Sequence, residues 1–125
     1  MSEIMGNYPF KFIESDTFSG FAIRLTTKDD DGLNEQPIDL SGATVQMRIQ
    51  SLDRARKKYV DLTTYNGRIE ITDAIDGRLV IVKQKIKLSA GLYDYSLQVK
   101  FSNGDQRTYL VGDCEVLSNS TNKYY

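Results

Sequence analysis

Apolar and polar residues alternate with a two-residue period along residues 93–101, and this is the clearest pattern in the chain. Such alternation predicts a β-strand with one side in the core and the other in solvent. The polar residues Asp94, Ser96, Gln98 and Lys100 occupy the solvent side. The apolar positions are Tyr93, Tyr95, Leu97, Val99 and Phe101.

The dipeptide Asn103-Gly104 follows this strand and predicts a hairpin, because a two-residue type I′ turn needs positive φ at both central residues. Gly112 would then leave room for the ring of Tyr95 on the facing strand. A slip of one residue would bury Gln98 and Lys100, so the hydrophobic pattern favours one register. The predicted pairs are Val99 with Thr108, Leu97 with Leu110, Tyr95 with Gly112 and Tyr93 with Cys114, and the return strand buries Leu110, Cys114 and Val116.

Shorter runs separated by turn residues predict the other strands. Residues 8–13 are expected to form an edge strand, because Pro9 has no N–H to donate to a central ladder. Residues 86–90 are expected to form one helical turn that ends at Gly91. Turns are expected at 16–20, 66–67 and 76–77, with a polar loop over 28–37. Val45, Met47 and Ile49 are expected on an inner face. The other apolar positions of the predicted strands are Phe21, Ile23 and Leu25, Tyr59, Val60 and Leu62, Ile69 and Ile71, and the run 79–82.

Short strands with a turn signal roughly every 8–12 residues predict an all-β fold, an immunoglobulin-like antiparallel β-sandwich of about seven to eight strands. The segment Leu88-x-x-Gly91-x-Tyr93 resembles a tyrosine corner, in which the hydroxyl bonds to upstream backbone. Cys114 is the single cysteine, so no intrachain disulfide can form. We expect a single domain over 1–125 with a core of about 8–118, an N-terminal arm (1–7) and a C-terminal tail (118–125).

Residue types that carry chemistry are sparse. The 125 residues have a formal net charge of −1 and include no histidine, the commonest general base. Balanced charge gives no reason to expect a nucleic acid or an anionic membrane as partner. Neither a nucleophile motif nor a phosphate-binding loop occurs, so we expect no enzymatic site, no cofactor and no small-molecule ligand. Cys114 is expected to be a small core residue.

No segment of the sequence is typical of a signal peptide or of a membrane span. The first ten residues lack the basic and apolar regions of a signal peptide. The longest fully apolar run, residues 79–82, is far too short for a membrane span. These features predict a soluble product made in a reducing compartment.

An acidic loop with Asp29, Asp30 and Asp31 precedes Gly32 and invites a calcium interpretation. Aligning that glycine with an EF-hand loop puts Ile38 where the bidentate glutamate belongs, so the EF-hand motif fails and no metal site is assigned. The acidic loop is a solvated loop, a loop that binds a cation with another geometry, or an interface, and the first interpretation is favoured.

A basic tip with Arg54, Arg56, Lys57 and Lys58 separates two predicted strands. It is either a solvated hairpin tip or an electrostatic contact with an acidic surface. One hypothesis is that the basic tip meets the acidic loop of a neighbouring copy, head to tail in a ring. Tyr124 and Tyr125 form either a loose terminus or an arm that docks on a neighbour.

Several segments in order resemble the immunoglobulin-like N-terminal domain of tailed-phage baseplate upper proteins and related tail or fibre proteins. The motifs are DTF at 16–18, PIDLSGATV at 37–45, MRI at 47–49, DGRL at 76–79, LSAGLYDY at 88–95, NGD at 103–105, and Gly112. The resemblance covers about residues 14–118 and consists of turn and core residues. The shared residues therefore indicate a fold and include no catalytic or ligand-binding motif.

That resemblance implies a non-enzymatic structural protein of the virion, made in the host cytoplasm. Its implied partners are other tail or baseplate proteins and further copies of itself. Family members usually continue into fibre or receptor-binding regions, so a module of this length is expected to be an adaptor, a decoration protein or a small ring component. The alternative is a carbohydrate-binding sandwich, in which Tyr59, Tyr65 and Tyr109 would form the aromatic platform.

Overall fold

A computed structural model of the chain describes residues 2–3, 6–28, 34–52 and 59–118. These residues form fourteen strand segments. They include no helix long and apolar enough to cross a membrane. The strands are β1 (Ser2–Glu3), β2 (Gly6–Asn7), β3 (Phe10–Ile13), β4 (Thr17–Phe18), β5 (Phe21–Arg24), β6 (Thr26–Lys28), β7 (Glu35–Pro37), β8 (Thr44–Ser51), β9 (Tyr59–Thr63), β10 (Ile69–Asp73), β11 (Arg78–Ile81), β12 (Gln84–Lys85), β13 (Gly91–Lys100) and β14 (Gln106–Leu117).

Two sheets enclose one hydrophobic core. The front sheet has six strands. β2 and β3 both pair with one edge of β14, and β13, β8 and β9 follow in that order from its other edge. The back sheet has the order β10–β11–β5, and two short ladders, β12–β4 and β1–β6–β7, join the sandwich. In immunoglobulin lettering this is G-F-C-C′ opposite D-E-B. The chain is therefore an all-β, immunoglobulin-like sandwich, as the sequence predicts.

The alternation in β13 builds the core. Its inner residues, from Tyr93 to Val99 at odd numbers, are at most 3% exposed. Each large apolar side chain taken out of water contributes roughly 1.5–3 kcal/mol, so the inner face of this strand fixes its register. Both sheets supply the neighbours, which include Val45, Met47, Ile49, Leu62, Ile69, Leu79 and Ile81.

The β13–β14 hairpin keeps three of the four predicted pairs, those at Leu97, Tyr95 and Tyr93. The fourth is wrong, because Val99 lies opposite Arg107 and Thr108 lies opposite Gln98. The register shifts between Leu97 and Gln98, because Tyr109 is an extra residue in β14 at that point. The pairs near the turn are therefore offset by one residue from the pairs beyond Tyr109.

The loop of this hairpin is one residue longer than predicted, and the bulge in β14 compensates for that extra residue. The Gly104 N–H donates to the Phe101 carbonyl at 2.9 Å, and the Phe101 N–H donates to the Asp105 carbonyl at 2.8 Å. Gly104 has a φ of 96°, whereas Asn103 has no positive φ. The predicted two-residue type I′ turn is therefore wrong, and the loop is the longer form with glycine in the left-handed region. The bulge at Tyr109 adds one residue to β14 and restores the predicted register.

Tyr109 is buried, with 2% of its surface exposed, and its ring meets that of Phe101 edge-on at a centroid distance of 6.4 Å. The prediction that it belongs to an exposed aromatic platform is therefore wrong. Strict alternation from the predicted turn would place residue 109 on the outer face. The bulge breaks that alternation and turns the side chain inward.

The predicted tyrosine corner is confirmed. The Tyr93 hydroxyl donates to the Ser89 carbonyl at 2.7 Å. The predicted helical turn over residues 86–90 is wrong, because these residues form no helix and Ile86 and Leu88 are both buried. The Leu88 N–H donates to the Ile86 carbonyl at 3.1 Å, a tight turn that keeps both side chains on the core side.

The N-terminal strand joins the front sheet in parallel, unlike the antiparallel pairing expected of the whole sandwich. Phe10–Ile13 pairs with β14 from Cys114 to Leu117, and Gly6–Asn7 pairs with an earlier part of the same strand, at Leu110 and Val111. Tyr8 and Pro9 interrupt the two strand segments, although the Tyr8 N–H still donates to the Val111 carbonyl at 3.3 Å. The stretch predicted as an N-terminal arm thus contains two short strands, since Ser2–Glu3 also pairs with β6.

Gly112 lies where three chain segments meet. The Tyr95 hydroxyl donates to the Tyr8 carbonyl, and the Phe10 ring lies 5.0 Å from the Tyr95 ring. A Cβ on Gly112 would be 2.9 Å from both the Tyr8 carbonyl oxygen and a Tyr95 ring carbon. The predicted space for the Tyr95 ring is confirmed, and the approach of the Tyr8 backbone is a second reason for glycine at this position.

Asn66 and Gly67 turn the chain from the front sheet to the back sheet, as their sequence predicts. The Asn66 side-chain oxygen accepts from the N–H groups of Thr63 and Arg68, and its amide donates to the Asp61 carbonyl at 3.1 Å. These bonds occupy backbone groups on the outer edge of β9. The turn therefore covers part of an edge that would otherwise be open to strand pairing.

Replacing Gly112 with alanine should lower the free energy of unfolding by about 1–3 kcal/mol, because the new methyl group must displace either the Tyr8 backbone or the Tyr95 ring. Urea titration followed by circular dichroism measures the change. Glu115→Ala, an exposed position on the same strand, is the matched control and should differ little from the parent. Equal stability of Gly112→Ala and the parent would contradict the close packing described here.

Replacing Tyr93 with phenylalanine removes the hydroxyl that the Ser89 carbonyl accepts and should lower the free energy of unfolding by about 1 kcal/mol. Tyr65→Phe is the matched control, because that side chain is 84% exposed. The same urea titration compares the two variants. A loss of the same size in both would show that the corner hydrogen bond contributes nothing specific.

Candidate functional site

None of the predicted interface residues falls within the residues that the structure describes. Asp29, Asp30 and Asp31 belong to the connection between β6 and β7, and Tyr124 and Tyr125 end the chain. The basic tip, Arg54, Arg56, Lys57 and Lys58, belongs to the connection between β8 and β9. Their contacts remain predictions.

Cys114 lies on the inner face of β14, 1% exposed and opposite Tyr93. Burial raises the pKa of its thiol to about 12. A thiolate is therefore strongly disfavoured at neutral pH, and thiolates are the reactive form of cysteine. This placement confirms the prediction of a small core residue.

The acids at strand ends hold turns together. The Asp76 carboxylate accepts from Arg24 at 2.8 Å and from Arg78, and these hydrogen bonds lower its pKa. The Asp73 carboxylate accepts from the Asp76 N–H, and the Glu14 carboxylate accepts from the Ala90 N–H at 3.1 Å. Within the described ranges, no group of three or more His, Cys, Asp or Glu residues could hold a metal ion.

The side of the front sheet that points away from the core, here called the outer face, carries the most varied surface. Arg48 and Asp61 form a bidentate pair across β8 and β9, at 2.7 and 2.8 Å. The guanidinium also lies 4.7 Å from the centroid of the Tyr59 ring. The hydrogen bond from Arg48 lowers the pKa of Asp61. The charge of Arg48 is thus already matched within the sheet.

Exposed apolar side chains interrupt the outer face at one end. The Leu52 N–H donates to the Leu92 carbonyl at 3.3 Å, so these two residues are neighbours on adjacent strands. Their side chains are 52% and 62% exposed, and Tyr59 is 55% exposed at the same end. Exposed apolar groups gathered on one rigid surface are typical of protein–protein contacts.

Asp94 and Asp113 lie directly opposite each other on β13 and β14, next to this apolar end. They are called the acidic pair below. Neither carboxylate has a hydrogen-bond or ion-pair partner among the residues described. Like charges opposite each other in a ladder destabilise a sheet. Two shallow grooves meet at Asp113, one over Gln50 and Val111 and the other over Pro9 and Lys11.

The tyrosines suspected of a sugar platform do not lie together. Tyr59 begins β9, whereas Tyr65 follows the end of that strand, at least about 13 Å farther along. Tyr109 is buried on another strand. The ring of Tyr59 is engaged by Arg48. The flat platform that the carbohydrate alternative requires is thus not formed by these three residues.

Sequence reasoning missed the acidic pair and its apolar neighbours. No protein-family model matches the chain, and no curated protein matches it either. The resemblance to phage baseplate and fibre domains therefore remains a prediction. Polar residues at alternate positions of β13 gave a signal for the outer face, but only the strand pairing shows which of them lie together.

The stability of the fold should fall as the pH rises from about 9 to 12. Burial raises the pKa of Cys114 from 9.0 and that of Tyr95 from 10.0, each to about 12. Between these values the unfolded chain releases protons that the folded chain retains, so raising the pH favours unfolding. Urea midpoints under reducing conditions at pH 8 to 11 measure the effect.

Cys114→Ala is the informative variant for this pH dependence. It should be less stable than the parent at pH 8, because a buried group is lost, yet its stability should fall less steeply above pH 9. Tyr65→Phe is the control, and its stability should fall with pH as steeply as that of the parent, because Cys114 and Tyr95 are unchanged. Parallel pH profiles for Cys114→Ala and the parent would show that the thiol does not contribute.

Proposed function

We propose that this chain is a non-enzymatic structural protein of a phage virion, an adaptor or attachment module of the tail, baseplate or fibre that assembles into an oligomer. The proposed docking role is supported by the composition of the outer face of the front sheet. It combines Leu52, Leu92 and Tyr59 with the unmatched acidic pair on strands that are locked by the core beneath them. A rigid surface of mixed apolar and charged groups suits protein recognition.

The strands beneath the outer face favour docking over reaction chemistry. Each outer residue of β13 alternates with a residue that is at most 3% exposed, so the backbone under the surface cannot shift without disturbing the core. Preorganisation of this kind reduces the entropy lost when a partner binds. Grooves on the outer face are shallow and open, which suits a protein surface better than a small molecule.

The virion assignment is supported by the resemblance described above. Its most distinctive motif, residues 88–95, contains the tyrosine corner and the start of β13. Other motifs include turn residues such as Gly77, where φ is 68° and a Cβ would meet the Leu25 carbonyl at 2.5 Å. The virion role is proposed from this resemblance of turn and core residues.

Incorporation into particles tests this proposal. An antibody raised against the purified chain is applied to gradient-purified phage particles from the strain that carries the gene. We expect the chain to co-sediment with particles and to be labelled on the tail by immunogold electron microscopy. Complete particles that lack the chain would contradict the proposal.

A variant pair separates docking from folding in the same assay. Leu52→Ser combined with Leu92→Ser should abolish incorporation, because it removes the apolar end of the outer face. Ile75→Ser is the matched control, since that residue is 72% exposed in the turn between β10 and β11 of the back sheet. Incorporation of both variants at the parental level would exclude this end of the outer face as the docking surface.

A further inference from the structure

We infer that this chain forms a two-fold dimer through strand β10, the terminal strand of the back sheet. The two three-stranded back sheets join edge to edge into one continuous sheet, in the order β5–β11–β10–β10–β11–β5. The contact leaves the outer face of the front sheet free, so it goes beyond the docking proposed above and is tested separately from it. Its supports are unpaired backbone groups, self-complementary charges and exposed apolar side chains.

Strand β10 is paired along one edge. In the part of the chain that the structure describes, β11 is its only ladder partner. The Val82 N–H donates to the Arg68 carbonyl at 3.0 Å, which fixes the residues whose backbone groups turn toward β11. In an antiparallel ladder these residues alternate with residues whose groups turn away. The N–H and carbonyl groups of Ile69 and Ile71 therefore point out of the open edge.

The preceding strand, β9, is the edge of the front sheet, and it is protected. The Asn66 side chain accepts from the Thr63 N–H and donates to the Asp61 carbonyl. The Thr63 carbonyl accepts from the Arg68 N–H at 3.2 Å. Strand β10 has no such cover, and its sequence contains neither proline nor lysine, the residues that commonly protect an edge from strand pairing.

The outward groups favour one pairing of two copies. If Ile69 of one copy lies opposite Ile71 of the other, every outward group of both strands is hydrogen-bonded. Beyond Ile71 the bulge in β10 reverses the alternation, since Asp73 lies opposite Arg78. A pairing of Ile71 with its own copy would therefore use only half of these groups. The favoured pairing places the two-fold axis beside Glu70.

The charges beside this axis are self-complementary. The alternation that buries Ile69 puts Arg68 and Glu70 on the solvent side of the back sheet. Within the described ranges, neither of these two side chains forms an ion pair. In the dimer the two Glu70 residues lie opposite each other, and Arg68 of each copy lies diagonal to Glu70 of the other, within reach of a long side chain. Two arginine–glutamate pairs thus offset the repulsion between the carboxylates.

Apolar side chains flank the same axis. Tyr65 and Ile75 are the most exposed large hydrophobic residues in the described ranges, at 84% and 72%. Tyr65 lies in the turn five residues before Glu70, and Ile75 lies in the turn five residues after it. Because the paired strands run in opposite directions, the turn with Tyr65 in each copy adjoins the turn with Ile75 in the other. A foreign strand would use the backbone groups alone, whereas a second copy also matches the charges and covers these side chains.

A charge swap tests the inference in the purified 125-residue chain. Arg68→Glu surrounds the axis with carboxylates, and Glu70→Arg surrounds it with guanidinium groups. At about 50 mM salt each variant should be monomeric at concentrations where the parent is a dimer of twice 14.2 kDa. Mixed one to one the two variants should form a heterodimer, since every charge then faces an opposite one. Sedimentation velocity measures the masses.

Matched variants control for charge and for apolar surface. Lys100→Glu with Glu115→Arg makes the same two reversals on the front sheet and should dimerise like the parent. Tyr65→Ser should weaken the dimer about tenfold or more, because it removes apolar area from the contact. Leu92→Ser, an exposed apolar position on the front sheet, should leave the affinity unchanged. Unfolding midpoints establish that each variant is folded.

Amide hydrogen exchange measured by nuclear magnetic resonance locates the contact. The Ile69 and Ile71 amides should exchange at least about tenfold more slowly in the parent dimer than in Arg68→Glu, because their N–H groups are bonded only across the axis. The Glu70 amide is the internal control, since Glu70 pairs with Val80 of its own chain in both states.

Three results would overturn the inference. They are a parent that stays monomeric at all concentrations, a mixture of swapped variants that fails to associate, and a dimer in which the Ile69 and Ile71 amides exchange as fast as in Arg68→Glu. A monomeric parent found in virions would leave the proposed virion role standing and remove the two-fold contact. A dimer absent from particles would remove the virion role and leave the contact standing.

Discussion

Strand β13 is paired along both of its edges, and this two-sided pairing is the constraint on which the rest of the sandwich depends. Its residues from Tyr93 to Lys100 face β8 on one side and β14 on the other. A slip of one residue would exchange the buried side chains for polar ones. Because β8 and β14 both pair with β13, the alternation in β13 determines which of their residues lie beside its core positions. The outer face is the consequence of the same alternation.

Alternation and local turn chemistry made much of the fold predictable. The inner face of β13, the tyrosine corner and three of the hairpin pairs follow from residues close together in the sequence. The turn and the bulge were not predictable in this way, since Asn103-Gly104 is compatible with both loop lengths and nothing local marks Tyr109 as the inserted residue. The hairpin was nonetheless assigned correctly beyond the bulge, because two offsets of opposite sign cancel.

Long-range contacts account for the other differences. Residues 86–90 have a glycine after them, which favoured a helical turn, yet the chain instead makes a tighter turn in which the Leu88 N–H donates to the Ile86 carbonyl and both side chains are buried. The parallel attachment of the N-terminal strand depends on the fit of Tyr8 against Gly112 and Tyr95. These residues are about a hundred positions apart at most, and no periodicity within a short window reports their contact.

The candidate site also depends on contacts between residues that are far apart in the sequence. Runs of like charge at 29–31 and 54–58 stand out in the sequence, whereas the acidic pair consists of two isolated aspartates, each between apolar or small neighbours. Asp94 and Asp113 become a pair only through the β13–β14 register, and that register is set by the core residues on either side of them. The core therefore determines where the charges of the outer face lie. It follows that a change in the β14 bulge, such as loss of the extra residue at Tyr109, would alter the outer face as well as the core, whereas substitutions at outer positions can alter docking and leave the core unchanged.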